Sequence, residues 1–187
     1  MIVSDKGLLK IMKEAYKGPG YNVAAEIDAG NVENIIITTP KLAVMIEKKN
    51  LPRKVLGLIA EHVGEIPEPG EAFQVKKKEP QTEIFDIATR ILRDIHADNK
   101  PIKLIKRTDI TLGGFQLWQR KDDLRIFKVD PALEDILLLS RGTVRIVGDD
   151  MLMLEDLESR AYIAVEKPDA KAVAGINHLS KMQWVAM

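Results

Sequence analysis

The 187-residue sequence contains no cysteine. Disulfides, zinc–thiolate sites, iron–sulfur clusters and cysteine nucleophiles are therefore excluded, because each of them needs a thiol or a thiolate. A chain of this length can bury a large apolar core without a disulfide or a structural metal. We therefore expect a single domain that folds in the reducing interior of the cell, and a subdivision near residue 100 is the alternative.

Long apolar runs and an excess of charge of one sign are also absent. No run approaches the roughly 18 apolar residues that a transmembrane helix needs, and the first residues, with Asp5 among them, lack the order of a secretory signal. Lysine plus arginine and aspartate plus glutamate each number 28, so the net charge is zero and gives no argument for nucleic acid or an anionic membrane. These observations predict a cytoplasmic protein with no membrane partner.

The short motifs of common catalytic sites are missing as well. No Gly-x-Ser-x-Gly segment is present to form a nucleophile elbow, and the chain has neither a Walker phosphate loop nor a dinucleotide fingerprint. The paired glycines Gly113 and Gly114 precede an apparent strand, which is typical of a turn rather than of a phosphate site. The sequence therefore favours a non-enzymatic protein without a cofactor, and a catalytic site dispersed along the chain is the alternative.

Apolar residues at helical spacing predict about four short helices. Ser4 and Thr82 are suitable N-caps, and Pro52 and Pro131 stand where the first turn of a helix accepts proline. The expected helices span residues 5–17, 52–63, 82–98 and 131–141. The segment 82–98 has the widest apolar stripe.

Residues of high β propensity predict strands between these helices. The expected strands lie at residues 21–28, 34–39, 42–47, 72–75, 102–105, 115–119, 124–129, 143–147, 151–154, 162–166 and 182–186. Turn residues at 28–31 and 120–123 join two pairs of strands into hairpins, and the Pro- and Lys-rich segment 65–80 is expected to be a long connecting loop. Because helices and hairpins do not alternate as βαβ units, we predict an α+β fold with a mainly antiparallel mixed sheet.

Two groups of acidic and imidazole side chains are candidate metal ligands. His62 and Glu65 lie near the end of the second predicted helix, and His96 and Asp98 lie near the end of the third. Carboxylates and imidazoles suit a hard or borderline divalent cation if the two helix ends meet in space. A small metal-dependent hydrolase is the corresponding hypothesis. Since His62 falls on the apolar face of its helix, a core histidine is the simpler interpretation.

The charges are unevenly distributed along the second half of the chain. Residues 100–128, which we call the basic stretch, include eight basic and three acidic residues. Residues 129–170, the acidic stretch, include four basic and ten acidic residues. The two stretches are therefore candidates to face each other.

The basic stretch contains the candidate interaction residues. They are Trp118, Arg120, Arg125, Phe127, Lys106 and Arg107. Strand alternation puts Trp118 beside Arg120 and Arg125 beside Phe127, and the four share one face if the hairpin register allows it. A cationic and aromatic face suits single-stranded nucleic acid. The alternative places both aromatic rings in the core and pairs the arginines with the acidic stretch, either within one chain or between subunits.

The run from Met151 to Leu154 is apolar at every position and has acidic residues on both sides. A strand that is apolar on both faces is either central in a covered sheet or open to a partner. Together with the missing catalytic motifs, these features lead to our main hypothesis. The protein is a protein-interaction or self-associating module, a homo-oligomer or the binder of another protein, with the loop 65–80 and the hairpin 115–129 as contact elements. A nucleic-acid-binding accessory protein is the first alternative.

Overall fold

The computed structural model, which describes residues 2–77, 82–83, 101–139 and 142–169, contains one sheet of eleven strands. The strands are β1 (Tyr21–Ile27), β2 (Glu33–Thr38), β3 (Leu42–Glu47), β4 (Ala72–Val75), β5 (Thr82–Glu83), β6 (Ile102–Leu112), β7 (Phe115–Arg120), β8 (Ile126–Val129), β9 (Thr143–Val147), β10 (Met151–Glu155) and β11 (Ser159–Ala164). Their order across the sheet is β5-β4-β1-β2-β3-β11-β10-β9-β6-β7-β8. All neighbouring strands in this order pair antiparallel. The predicted α+β class with a mainly antiparallel sheet is therefore confirmed.

Three α-helices accompany the sheet in the described residues. They are α1 (Asp5–Lys17), α2 (Arg53–Val63) and the four-residue α3 (Pro131–Glu134), which is shorter than predicted. The expected number of about four helices is not confirmed, because Thr82 and Glu83 form β5 and the rest of the predicted helix 82–98 lies outside the described residues. The predicted strand 182–186 lies outside them as well. Within these same ranges, no helix is long and apolar enough to cross a membrane.

The helices begin and end at residues that suit these positions. The Ser4 hydroxyl accepts a hydrogen bond from the Gly7 N–H at 3.2 Å before α1, and the Asp130 carboxylate accepts one from the Ala132 N–H at 2.9 Å before α3. α2 ends at Val63 and is followed by Gly64, whose φ of 96° is a left-handed conformation that favours glycine. Local sequence therefore determines where these elements start and stop.

One continuous apolar core joins the helices to the sheet. The helices contribute Leu8, Met12, Val55 and Ile59, each of which is 0% exposed. The same core contains Val23 of β1 and Phe127 of β8, two strands that lie far apart in the strand order. The core thus includes residues from both sides of residue 100.

The opposite face of the central strands is also apolar. Ile36, Met153 and Tyr162 belong to a second buried cluster and are each at most 2% exposed. Leu152 and Leu154 lie on the main-core side of β10, between β9 and β11. Both faces of β10 are therefore buried, as in an interior strand.

β6 is longer than the predicted strand 102–105 and contains a bulge where its register with β7 shifts. The Gln116 side chain of β7 fills this irregularity. Its amide nitrogen Nε2 donates to the carbonyl oxygens of Thr108 at 2.7 Å and Ile110 at 3.1 Å. Carbonyl groups that leave the regular ladder thus keep hydrogen-bond partners.

Two predicted connections differ in how much structure they contain. Gly113 and Gly114 have φ of 58° and 84° and form the expected turn between β6 and β7. The segment 65–80 includes β4, which matches the predicted strand at 72–75, and residues 78–80 lie outside the described residues. Only the first of these connections is a tight turn.

Candidate interaction site

The candidate interaction residues lie around the β7–β8 hairpin, whose register pairs Trp118 with Phe127. The Arg120 N–H donates to the Arg125 carbonyl oxygen at 2.8 Å, so the two arginines continue the same face. This face is the core side of the sheet. Trp118 and Phe127 are each 1% exposed, so neither ring is available to stack on a nucleic-acid base.

Arg120 is a buried charged residue at the end of this hairpin, and its side chain is 4% exposed. Its Nε donates to Asp123 Oδ1 at 2.7 Å, and its Nη1 donates to Asp149 Oδ1 at 2.8 Å. Hydrogen bonding to Asp123 raises the pKa of Arg120 although burial lowers it, and the guanidinium holds the pKa of Asp123 well below its usual range. Asp122 Oδ1 also lies 3.3 Å from the Arg120 Nε, so three carboxylates neutralise this positive charge.

Asp149 connects the buried arginine to the surface. The Arg125 Nη1 donates to Asp149 Oδ2 at 2.9 Å, and the Lys167 Nζ lies 3.2 Å from the same oxygen. Burial acts to raise the pKa of Asp149, but the hydrogen bonds and charges of Lys167 and Arg120 more than offset it and lower this pKa. The turn between β9 and β10 is thereby tied to the β7–β8 hairpin.

Ion pairs join the basic stretch to the acidic stretch at further places. The Lys128 Nζ lies 3.2 Å from Glu166, and Arg107 donates to the buried Glu134. Lys106 precedes Arg107 in β6, so it lies on the opposite face of the strand, and it is half-buried. The structure therefore pairs the two stretches within one chain, and the six candidate residues do not form one exposed surface.

Leu124 is a residue whose role the sequence pattern does not indicate. It is predicted to begin the strand 124–129, but β8 begins at Ile126 and Leu124 lies in the preceding turn. Its φ is 60°, and its side chain is 54% exposed. A left-handed backbone costs a residue with a Cβ roughly 1–2 kcal/mol. Strand propensity in the sequence conceals this turn position, because glycine, asparagine and aspartate are the usual signals for it.

A cleft of about 550 Å³ lies beside this turn, and we call it the hairpin cleft. It is lined by Leu124, Ile126, Phe127 and Pro168 and by the charged residues Asp123, Arg125 and Lys167. The side chains of Arg125 and Lys167 are each 60% exposed. An apolar cleft with cations at its rim suits an apolar side chain that has carboxylates beside it.

The metal candidates are not brought together in the part of the chain that the structure describes. Glu65 is exposed just beyond the end of α2, while His96 and Asp98 lie outside the described residues. No group of three or more His, Asp or Glu side chains within the described ranges could hold a metal ion. Of the four predicted metal ligands, the structure therefore describes the positions of His62 and Glu65.

His62 lies in an aromatic cluster between α1, α2 and β1. Its ring stacks on Tyr16 with centroids 3.8 Å apart, and its Nδ1 lies 3.0 Å from the Tyr21 hydroxyl oxygen. Burial is the main cause that lowers the pKa of His62. These contacts are those of a histidine that packs between core elements.

The fold and the site together define an antiparallel α+β protein with a charged cleft at the end of a hairpin. Comparison of the chain with protein-family models, with curated proteins and with solved structures finds no match. A function for this chain therefore has to be argued from its own residues and geometry.

Proposed function

We propose that this protein is a protein-interaction or self-associating module that binds its partner in the hairpin cleft. The observation that supports the proposal best is Leu124, a half-exposed apolar side chain on a left-handed backbone. Glycine or asparagine would adopt this conformation at lower free energy. Unfavourable backbone conformations are concentrated at functional sites, so a leucine held there points to a contact that the isolated chain does not make.

The turn that presents Leu124 is anchored on both sides. Asp123 Oδ1 accepts from Arg120 Nε at 2.7 Å and from the Arg125 N–H at 3.2 Å, so one carboxylate fixes the residues before and after Leu124. Arg120 is itself fixed by Asp149. A preformed cleft loses less conformational entropy on binding than a mobile loop does.

The lining of the cleft indicates the chemistry of the partner. Leu124, Pro168 and Ile126 offer apolar contacts, and Arg125 and Lys167 stand at the rim with most of their side chains in solvent. Rim charges of this kind favour a partner of opposite charge and increase its rate of association. We therefore expect the partner to contribute an apolar residue with acidic neighbours.

The two alternatives have less support. Nucleic-acid binding by stacking would need exposed rings, whereas Trp118 and Phe127 are buried in the main core. A metal-dependent hydrolase would need His96 and Asp98 to join His62 and Glu65, and the first pair lies outside the described residues. The interaction module is the function that the described geometry favours.

The substitution Leu124→Asn tests the proposal. Asparagine accepts a left-handed backbone, so the free energy of unfolding should increase by about 1 kcal/mol. Binding should instead weaken by about tenfold or more, because the partner loses an apolar contact worth ~1.4 kcal/mol or more. A variant that is more stable but binds less well cannot be explained by misfolding. Ile27→Asn is the matched control, since Ile27 is 52% exposed at the end of β1 and lies outside the cleft.

Two measurements report binding. Sedimentation velocity from low micromolar to submillimolar concentration measures self-association of the wild type and of both variants. A random-peptide display library, selected on the wild type and counter-selected on Leu124→Asn, reports recognition of other chains. Peptides with an apolar residue beside acidic residues, or association that only Leu124→Asn weakens, would support the proposal. No self-association together with no enriched peptide would contradict it.

A further inference from the structure

The turn between β10 and β11 carries a leucine that is fully exposed. Leu157 has a relative exposure of 101%. The preceding residue, Asp156, accepts hydrogen bonds at its Oδ1 from the N–H groups of Glu158 at 3.0 Å and Ser159 at 2.7 Å. This arrangement is an Asx turn, which fixes the backbone on both sides of the leucine. Leu157 is therefore an apolar side chain held in solvent by a defined turn.

Acidic side chains surround Leu157. Asp156 and Glu158 are its two neighbours in the sequence, and Glu155 precedes them in β10. Arg160 pairs with Glu155 across the hairpin. Residues 155–160 thus include three acidic residues and one basic residue.

The hairpin cleft has the opposite balance of charge. Its network contains the cations Lys103, Arg120, Arg125 and Lys167 and the anions Asp122, Asp123 and Asp149, an excess of one positive charge. The side chains at its rim are the cationic Arg125 and Lys167, each 60% exposed. An acidic turn with a leucine at its tip therefore matches a basic-rimmed apolar cleft in both charge and apolar character.

We infer that the partner bound by the hairpin cleft is a second copy of this chain, which inserts Leu157 of its β10–β11 turn beside Leu124. This inference rests on the proposed function of the cleft and names its partner. The carboxylates of Asp156 and Glu158 then approach Arg125 and Lys167 of the neighbouring copy. Each leucine exchanges solvent for an apolar contact when the two surfaces meet.

A molecule cannot insert Leu157 into its own cleft. The cleft is tied to Asp149, in the turn before β10, whereas Leu157 lies in the turn after β10. The five residues of β10 separate the two turns by about 14 Å or more at ~3.4 Å per residue. The contact therefore joins two different patches of two copies, which assemble either as a two-fold dimer with reciprocal insertion or head to tail into a ring or an open chain.

Mixing two complementary variants tests this assembly. Leu157→Asn removes the turn contact and keeps the cleft, whereas Leu124→Asn removes the cleft contact and keeps the turn. We expect the wild type to form species larger than its 21.0 kDa monomer and each variant alone to remain a monomer. An equimolar mixture should give a complex of twice the monomer mass and nothing larger, because only one productive interface is possible. Sedimentation velocity on the three samples at equal total concentration measures these masses.

The sedimentation and peptide-selection results together distinguish failure of the contact between Leu157 and the cleft from failure of the cleft as a binding site. If the wild type associates but the mixture of variants stays monomeric, the pairing of turn and cleft is wrong, while self-association remains. A wild type that stays monomeric up to submillimolar concentration also overturns the inference, and enriched peptides in the display selection would then still support the cleft as a site for another protein. Since Leu157 is fully exposed and Leu124→Asn is expected to be stabilising, thermal unfolding of both variants checks that loss of assembly is not loss of folding.

Discussion

The guanidinium of Arg120 is the charged group on which the candidate site depends. It lies on the core side of the hairpin, 5.7 Å from the centre of the Phe127 ring, and it reaches both Asp123 and Asp149. A charge in this position is tolerated because carboxylates neutralise it and accept its hydrogen bonds. The same contacts connect the hairpin turn to the turn between β9 and β10.

Replacement of Arg120 by methionine should destabilise the protein strongly. The substitution keeps the length of the side chain but removes the buried cation that Asp123 and Asp149 share and leaves them the exposed Arg125 as a shared partner, so we expect a loss of about 3 kcal/mol in the free energy of unfolding. Urea denaturation measures this value. Arg125→Met is the matched control, because Arg125 contacts the same two carboxylates, Asp123 and Asp149, from a side chain that is 60% exposed, and its removal should cost less than about 1 kcal/mol. Equal losses in the two variants would show that burial of Arg120 is not what makes it important.

The β6 bulge shows how one side chain supports an irregular element. Gln116 is 4% exposed and donates to two carbonyl oxygens of the bulge, while the Thr108 hydroxyl donates to the Leu117 carbonyl oxygen at 2.8 Å. The bulge lies between Arg107 and Thr111, and β6 pairs with β7 on both sides of it. The length of β6 therefore depends on a polar residue in its neighbour.

Gln116→Leu is expected to lower the free energy of unfolding by about 2–3 kcal/mol, because the bulge carbonyls lose their donor while they remain partly buried. Gln119→Leu provides the comparison in the same strand. Gln119 is 5% exposed but, among the described residues, its side chain donates one hydrogen bond, to the Leu124 carbonyl oxygen at 3.0 Å, so its replacement should cost about 1 kcal/mol. Denaturant unfolding of both variants distinguishes them, and a smaller loss for Gln116→Leu than for Gln119→Leu would contradict the role given to the bulge.

Elements with local signals could be predicted from the sequence, and those that depend on distant partners could not. Ser4 caps α1 as predicted, α3 begins at Pro131 as predicted, and β7 and β8 form the predicted hairpin. The end of β6 could not be found, because charged residues such as Lys106 and Arg107 interrupt its alternation and the support comes from Gln116. Leu124 has strand propensity, so its left-handed turn position is hidden in the sequence.

Acid stability is a property of the whole charge network. The carboxyl groups of Asp123 and Asp149 have lowered pKa values in the folded protein, whereas an unfolded aspartate titrates near ~3.9. A lowered folded-state pKa contributes stability that is complete above about pH 5 and is lost as the pH falls below it. The attachment of the β7–β8 hairpin to the β9–β10 turn should therefore weaken in acid.

We expect the free energy of unfolding of the wild type to fall as the pH is lowered from about 5 to about 2. In Asp149→Asn this fall should be smaller over the same range, because one of the titrating carboxylates is gone. Urea denaturation at a series of pH values measures both slopes. The exposed Asp135, which lies at the end of α3, supplies the control substitution Asp135→Asn. An identical slope in Asp149→Asn and the wild type would show that Asp149 does not contribute to acid stability.

At the level of the whole molecule, the strand order was beyond prediction. β3 pairs with β11 and β6 pairs with β9, so both contacts join segments that are far apart in sequence. Periodicity reports which face of a strand is buried but carries no information about its neighbour. For the same reason the sequence placed Trp118 and Arg120 on one face without showing that this face belongs to the core. The opposed charges of the basic and acidic stretches were the one long-range signal, and the structure pairs them.

The pairing of β3 with β11 also has a consequence for synthesis on the ribosome. β3 ends at residue 47 and β11 begins at residue 159, an interval of 112 residues. At about 5–20 residues per second, the ribosome needs roughly 6–22 s to make that interval. During this time the hydrogen-bonding edge of β3 has no partner from its own chain, and an open apolar edge is a template for wrong pairing. The nascent chain is thus a candidate client for chaperones that shield exposed strands until residues 159–164 emerge.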